Sequence, residues 1–178
     1  MQQAVGITKC DHPQPFTNDF QALSYMGQWF EQVHVIDQPF QKNDAVCTYA
    51  LYEDFRPDGH FVVYNTGQPA LSADRTMVVG DAYCPDTSGH CYVEFYDAPY
   101  VYPNYKVIET DYVSYSIVYA CDVHQYVWFL SRDPIISDEL YQYMYDTAYK
   151  ALPSFDWSNL NERTYQGAGC DYQPEAIF

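Results

Sequence analysis

Six cysteines, at positions 10, 47, 84, 91, 121 and 170, speak most directly of chemistry in this chain. Their count is even, they are dispersed, and no two form a CxxC pair. Disulfide bonds are therefore expected rather than a zinc site. Six cysteines admit fifteen connectivities, and spacing alone does not choose among them. Disulfides in turn point to an oxidising, extracellular environment, so the chain reads as secreted. No catalytic signature accompanies them. There is no GxSxG elbow, no HExxH pair and no Ser, His and Asp in triad order. With 24 carboxylates, adjacent acidic pairs arise by chance. No enzyme activity, metal or catalytic residue is expected. His12, His60, His90 and His124 fall on turn-like sequence and read as solvated.

What the chain has in abundance is aromatic surface. It carries 20 tyrosines, and aromatics make up 19% of its residues. Hydrophobic residues reach 48%, yet mean hydropathy is −0.38, because tyrosine supplies much of the apolar bulk together with a hydroxyl. Such rings favour β-strands, and they also suit the lining of a pocket or an interface. The charge balance, 8 Lys+Arg against 24 Asp+Glu, gives −16. Nucleic-acid phosphate and anionic lipid should repel such a chain. No run of about 18 apolar residues is present, so no membrane insertion is expected. Met1-Gln2-Gln3 runs into polar sequence, which reads as a mature form with Met1 added and a leader removed. No Asn-x-Ser/Thr sequon occurs.

These residues need elements to position them. The 178 residues suffice for one domain with its own core, taken as 1–178. Short β runs separated by turn signals span 28–36, 47–55, 60–66, 75–84, 91–96, 105–110, 115–122 and 125–132. Arg56-Pro57-Asp58-Gly59 has turn chemistry between the second and third. Their spacing predicts an all-β sandwich or barrel. One helix follows. Ser137-Asp138-Glu139 reads as an N-cap and acidic first turn. Leu140, Met144, Ala148 and Leu152 recur at helical spacing until Pro153, an apolar stripe that must pack on the outside of the sheet.

Three motifs then line up. Gly27-Gln28-Trp29 opens the first strand, Thr110-Asp111-Tyr112 precedes the seventh, and Ser131-Arg132-Asp133-Pro134 ends the eighth. In this order and at these boundaries they resemble the lipocalin family, over essentially the whole chain. Within it, Asp97-Ala98-Pro99 and the segments 105–112 and 115–121 look most like crustacyanin subunits. The run 126–132 is similar to insect bilin-binding proteins, in a group that also holds apolipoprotein D. The resemblance implies an eight-stranded antiparallel up-and-down barrel with one C-terminal helix packed outside. It implies that Trp29 closes the bottom of the barrel with Arg132 across its ring, so that Gly27, Trp29 and Arg132 are structural. It implies the bridges Cys10–Cys121 and Cys47–Cys170. The remaining pair, Cys84–Cys91, brackets a hairpin turn and departs from the crustacyanin pattern.

An eight-stranded barrel is just wide enough for one small ligand. With Trp29 inward, alternation puts Glu31, Val33 and Val35 on its side, and the parity of Arg132 points Leu130, Trp128 and Tyr126 inward. Likeness to the family adds Thr48, Ala50 and Tyr52; Phe61, Val63 and Asn65; Thr76, Val78 and Gly80; Tyr92, Glu94 and Tyr96; Tyr105 and Val107; and Ser116, Val118 and Ala120. A slip of one residue inverts every side chain, and a carboxylate at Glu94 sits badly on such a wall. His34 and Gln38, at the top of the first strand and the following loop, are placed to reach a ligand end group.

Candidate contacts are therefore Val33, Val35, His34, Gln38, Ala50, Tyr52, Val63, Asn65, Val78, Tyr92, Tyr96, Tyr105, Val118 and Trp128. This lining suits a conjugated apolar molecule with a few polar oxygens. A ketocarotenoid such as astaxanthin is one fit. It is a rod too long for the cup, so its protruding end asks for a homo- or hetero-dimer with another lipocalin subunit through loops such as Tyr100-Val101-Tyr102-Pro103. Biliverdin is the alternative, although its propionates would want basic residues at the mouth. A generic lipid or sterol carrier, like apolipoprotein D, is the third.

Overall fold

The structure, a computed structural model, describes residues 9–39, 41–95, 102–122 and 124–172. Eight strands close into a barrel in sequence order: β1 Gly27–Val33, β2 Val46–Glu53, β3 His60–Gln68, β4 Thr76–Tyr83, β5 His90–Phe95, β6 Tyr105–Thr110, β7 Tyr115–Cys121 and β8 Gln125–Ser131. Every pairing is antiparallel, and β8 returns to β1. A short helix, α1 (Ala22–Tyr25), leads into β1, and α2 (Asp138–Ala151) follows β8. The Ser137 hydroxyl accepts the Leu140 N–H at 3.1 Å, the N-cap expected from the sequence. Met144, Ala148 and Leu152 are fully buried against Ile117, Tyr119, Val127 and Phe129, on the outer face of β7 and β8.

The three motifs do structural work at the narrow end. Gly27 takes φ +100°, and a Cβ there would stand 3.0 Å from Arg132 Nη1, so glycine is required twice over. The Arg132 guanidinium lies 3.8 Å from the centre of the Trp29 ring. It donates to the carbonyls of Tyr112, Gln28, Ser24 and Met26. Burial alone would raise the pKa of Asp111, but N–H groups of Ser114, Tyr115 and Val113 and the Ser114 hydroxyl outweigh it and hold the carboxyl below its ordinary value. That carboxylate fastens the β6–β7 turn. The Cys10–Cys121 and Cys47–Cys170 bridges implied by the resemblance both form, and so does Cys84–Cys91, the remaining pair across the β4–β5 hairpin.

Two departures from strict alternation matter for the site. β1 was expected to run to Ile36, but its register against β8 shifts between Glu31 and Val33. This bulge inverts the faces beyond it. Val33 and Val35 consequently pack with Ile117, Phe129 and the α2 side chains, not in the lumen. Beyond the bulge, β1 leaves β2 and pairs instead with the chain after α2. Val35 bridges Leu160, and the Ile36, Asn161 and Thr164 N–H groups bond the carbonyls of Asn159, His34 and Gln32.

The second departure is on β5. Val93 is in register with Ala82, and both lie in the barrel core with Cys91 and Phe95. Tyr92 and Glu94 therefore face outward, the reverse of the expected parity. The hairpin places β5 one residue out of step with the family-based assignment, the slip to which a period-two pattern is most exposed.

Candidate functional site

The inner face of the barrel is the site the fold assembles. Its wall is built from alternate residues of neighbouring strands: Trp29 of β1, Ala50 and Tyr52 of β2, Phe61 and Val63 of β3, Ala82 of β4, Val93 of β5, Val107 of β6, Val118 of β7, and Leu130 and Trp128 of β8. Tyr126 stacks on Trp128 with ring centres 5.8 Å apart. Higher on the wall, Asn65 and Val78 are register partners on the same inner side, and both are solvent-exposed, Val78 at 37%. The start of β4, Thr76 to Val79, is exposed on both of its faces, so this end of the β3–β4 hairpin stands clear of the packed core. Asn65, one of the expected contacts, is exposed to solvent.

The floor is polar, and sequence reasoning only half saw it. Tyr52, Tyr105, Tyr25 and Ser116 form a chain of hydroxyls. Tyr52 Oη lies 2.8 Å from Tyr105 Oη, which lies 2.9 Å from Tyr25 Oη, which lies 2.7 Å from Ser116 Oγ. Tyr25 is the residue that was missed. It precedes β1, so no strand parity pointed to it. The ring of Tyr25 rests on Trp29, 5.0 Å between centres, and Trp29 Nε1 donates to its carbonyl. Four hydroxyl protons serve three hydrogen bonds, and these side chains make no other hydrogen bond among the described residues. One donor on the floor is left over for a ligand acceptor.

Burial pushes the Tyr25 phenol up to about 12, against a smaller lowering by its bonds to Ser116 and Tyr105. Burial moves Tyr52 and Tyr105 upward too. These phenols stay protonated donors throughout the physiological range. They also predict an alkaline limit. The folded state holds the Tyr25 proton more tightly than the unfolded chain, so this contribution is intact below pH 10 and falls away from pH 10 to about 12. The expected loss across this window is on the order of 1 kcal/mol per pH unit, shared by the coupled phenols. Urea midpoints at pH 9, 10 and 11 check it. A flat midpoint across that series would contradict the assignment.

His34 and Gln38, expected to reach a ligand end group, are instead buried and engaged with protein. His34 is 0% and Glu31 4% exposed. Glu31 Oε1 accepts from the Thr164 hydroxyl (2.7 Å), His34 Nδ1 (2.8 Å) and Gln41 Nε2 (2.9 Å). With Nδ1 donating, His34 Nε2 accepts from Asn161 Nδ2 at 3.2 Å. Gln38 Nε2 donates to Gln41 Oε1, while Gln38 Oε1 and Thr48 Oγ1 are buried with no hydrogen-bond partner among the described residues. This cluster clamps the post-helical chain to β1, and Gln166 completes it by donating to the carbonyls of Glu31 and Thr48. Of the other expected contacts, Val33, Val35 and Tyr92 lie off the inner face, and Tyr96 falls outside the described residues. So does Tyr100-Val101 of the mouth loop, where Tyr102 is highly exposed.

Charge on the inner wall is as informative as shape. Lys106 sits between inward-facing Tyr105 and Val107, Arg75 lies over the outer Tyr49 ring, and Arg56 joins Asp81 on the outer face. Arg132 is below Trp29, with four of its five N–H donors bonded to carbonyls. None of the eight Lys and Arg residues occupies an inward position of β1–β8. Among the described residues no group of three His, Cys, Asp or Glu could hold a metal ion, and no helix is long and apolar enough to cross a membrane.

Comparison with known proteins fits this architecture. The family model for a lipocalin-like domain matches residues 20–164. Apolipoprotein D of Mus musculus is 31% identical over 154 residues, covering 81% of this chain and 77% of that protein. Insecticyanin from the tobacco hornworm Manduca sexta superposes with a TM-score of 0.70 at 22% identity, covering 92% and 90% of the two chains. Lobster apocrustacyanin A1 gives 0.66 at 20% identity, covering 90% and 94%.

Proposed function

The chain belongs to the lipocalin family, and we propose that the hydrophobic ligand it carries is a ketocarotenoid such as astaxanthin, whose absorption it shifts to the red. The observation that carries this reading is the floor of the cup, with one hydroxyl donor to spare and its nearest cation, Arg132, held on the far side of Trp29 among backbone carbonyls. A neutral keto or hydroxyl oxygen accepts that donor. A carboxylate would be desolvated there with no cation in direct reach, because the Trp29 ring stands between it and Arg132. The propionates of a bilin call for basic residues at the mouth, and no inward position of the strands supplies one. The aromatic and aliphatic wall above the floor suits a polyene, and the exposed rim fits a rod that emerges from the cup. The emerging end calls for a second lipocalin subunit, and the three disulfides support a secreted protein. The second reading is a colourless lipid or sterol carrier, favoured by the 31% identity to apolipoprotein D. A sterol hydroxyl would serve the floor equally well.

The test is a visible spectrum of the protein mixed with astaxanthin, beside parallel samples with biliverdin and a fluorescent fatty acid. A large red shift with astaxanthin, eluting as a dimer on gel filtration, is expected. Tyr105→Phe removes one of the two middle hydroxyls and so disconnects Tyr52 from Tyr25. It should weaken astaxanthin binding about tenfold, as for one lost hydrogen bond, and leave the hydrocarbon β-carotene unaffected. A spectrum identical to free carotenoid, with tight binding of biliverdin or fatty acid, would overturn the ligand assignment while leaving the fold intact.

A further inference from the structure

The outer face of β3, β4 and β5 holds a cleft that the lumen does not explain. We propose that it is a separate binding site for a small organic cation of the guanidinium or alkylammonium kind. The register builds it. His60, Tyr83 and Tyr92 occupy one row across the three strands, and Asp81 and Glu94 are partners in the next. All point outward, because Phe61, Ala82, Cys91 and Val93 fill the core from the same strands. The His60 and Tyr83 rings stack with centres 4.6 Å apart, and Tyr92 continues the stack at 6.5 Å. Pro85 closes one side, leaving a cleft of about 290 Å³. That volume holds a head group and a short chain, and it is at the lower limit of ligand pockets generally.

Electrostatics decides the class of occupant. Asp81 is already answered, since Arg56 and His60 both bond it. Arg56 is further shared with Asp54 and Asp58. Glu94 makes no hydrogen bond or ion pair among the described residues. An unanswered carboxylate beside the rings of Tyr83 and Tyr92, whose faces are negative, calls for a cation. The net charge of −16 adds to the attraction and turns anions away. A merely solvated strand face would need neither concavity nor rings aligned in consecutive register positions. The cleft lies on the opposite side of the sheet from the lumen, so the proposal stands independently of the ligand carried there.

The test uses n-butylguanidinium as probe and n-butylurea as its neutral isostere, titrated into the full chain and followed by amide NMR shifts. Saturable shifts at Tyr83, Tyr92 and Glu94 are expected with the cation, and at least tenfold weaker binding with the urea. Glu94→Gln should weaken the cation tenfold or more. Tyr83→Ala should abolish binding, and if that variant does not fold, half-exposed Tyr92→Leu takes its place with a tenfold loss expected. Affinity should be unchanged when the lumen is filled with astaxanthin or with the fluorescent fatty acid. Equal affinity for the urea, a Glu94→Gln effect under twofold, or shifts centred on Val118 and Leu130 would overturn the proposal.

Discussion

Trp29→Ala should cost about 3–5 kcal/mol of stability, the range for removing a large buried aromatic side chain, and should abolish ligand binding as well. Trp29 is fully buried. Its loss leaves a void in the base and takes away the ring that the Arg132 guanidinium covers at 3.8 Å. That cation–π contact adds up to about 2 kcal/mol when desolvated. The damage reaches the site because Tyr25 rests on the same ring and takes its indole N–H. With Tyr25 unsupported, the chain of hydroxyls through Tyr105 and Ser116 loses its anchor. Trp29→Phe keeps a ring under Arg132 and gives up one hydrogen bond, so it should retain most of the stability with weaker binding. Urea midpoints and ligand titrations on both variants check the ordering. Equal stability of Trp29→Ala and the parent protein would show that the base is not held this way.

Removing the bridge between Cys47 and Cys170, as the double serine variant, should cost about 5 kcal/mol on the chain-entropy model, because it closes a loop of 123 residues. Cys84–Cys91 spans only 7, and the same model gives about 2 kcal/mol for it. The long bridge also has a local task. Cys170 ends the segment that fills the gap left where β1 parts from β2, and the Cys47 N–H bonds the Tyr165 carbonyl within that join. Hydrogen exchange in the double variant should therefore rise first between Leu160 and Gln166, before the barrel strands open. Uniform loss of protection across β1–β8, or equal costs for the two bridges, would contradict this account.

Much of the fold was legible in the chain. The turn at Arg56–Gly59, the capped helix start at Ser137 and the apolar stripe ending at Leu152 are local signals, and each is where its chemistry requires. The three motifs were legible because each answers a demand that few residues meet. Gly27 must take a positive φ beside Arg132, Asp111 must accept three backbone N–H groups, and Arg132 must reach four carbonyls. The site was less legible. Ala50, Tyr52, Val63, Tyr105, Val118 and Trp128 were placed on the inner wall from strand parity and likeness, and they do face it. Val33, Val35 and Tyr92 do not. Parity carries no memory of a bulge or of a one-residue offset, and either one reverses every later side chain.

The amino-acid sequence by itself determined the strand count, the helix, the cysteine pairs available and the acidic, aromatic character of the surface. These depend on residue type and near-neighbour spacing. Only the tertiary structure decided that Tyr25, outside any strand, joins Tyr52, Tyr105 and Ser116 on the floor, and that Glu31 is met by Thr164 from 133 residues away. It also decided that His60, Tyr83 and Tyr92 stack on the outer face. Such contacts are set by barrel closure and strand register, which a pattern of local preferences does not encode.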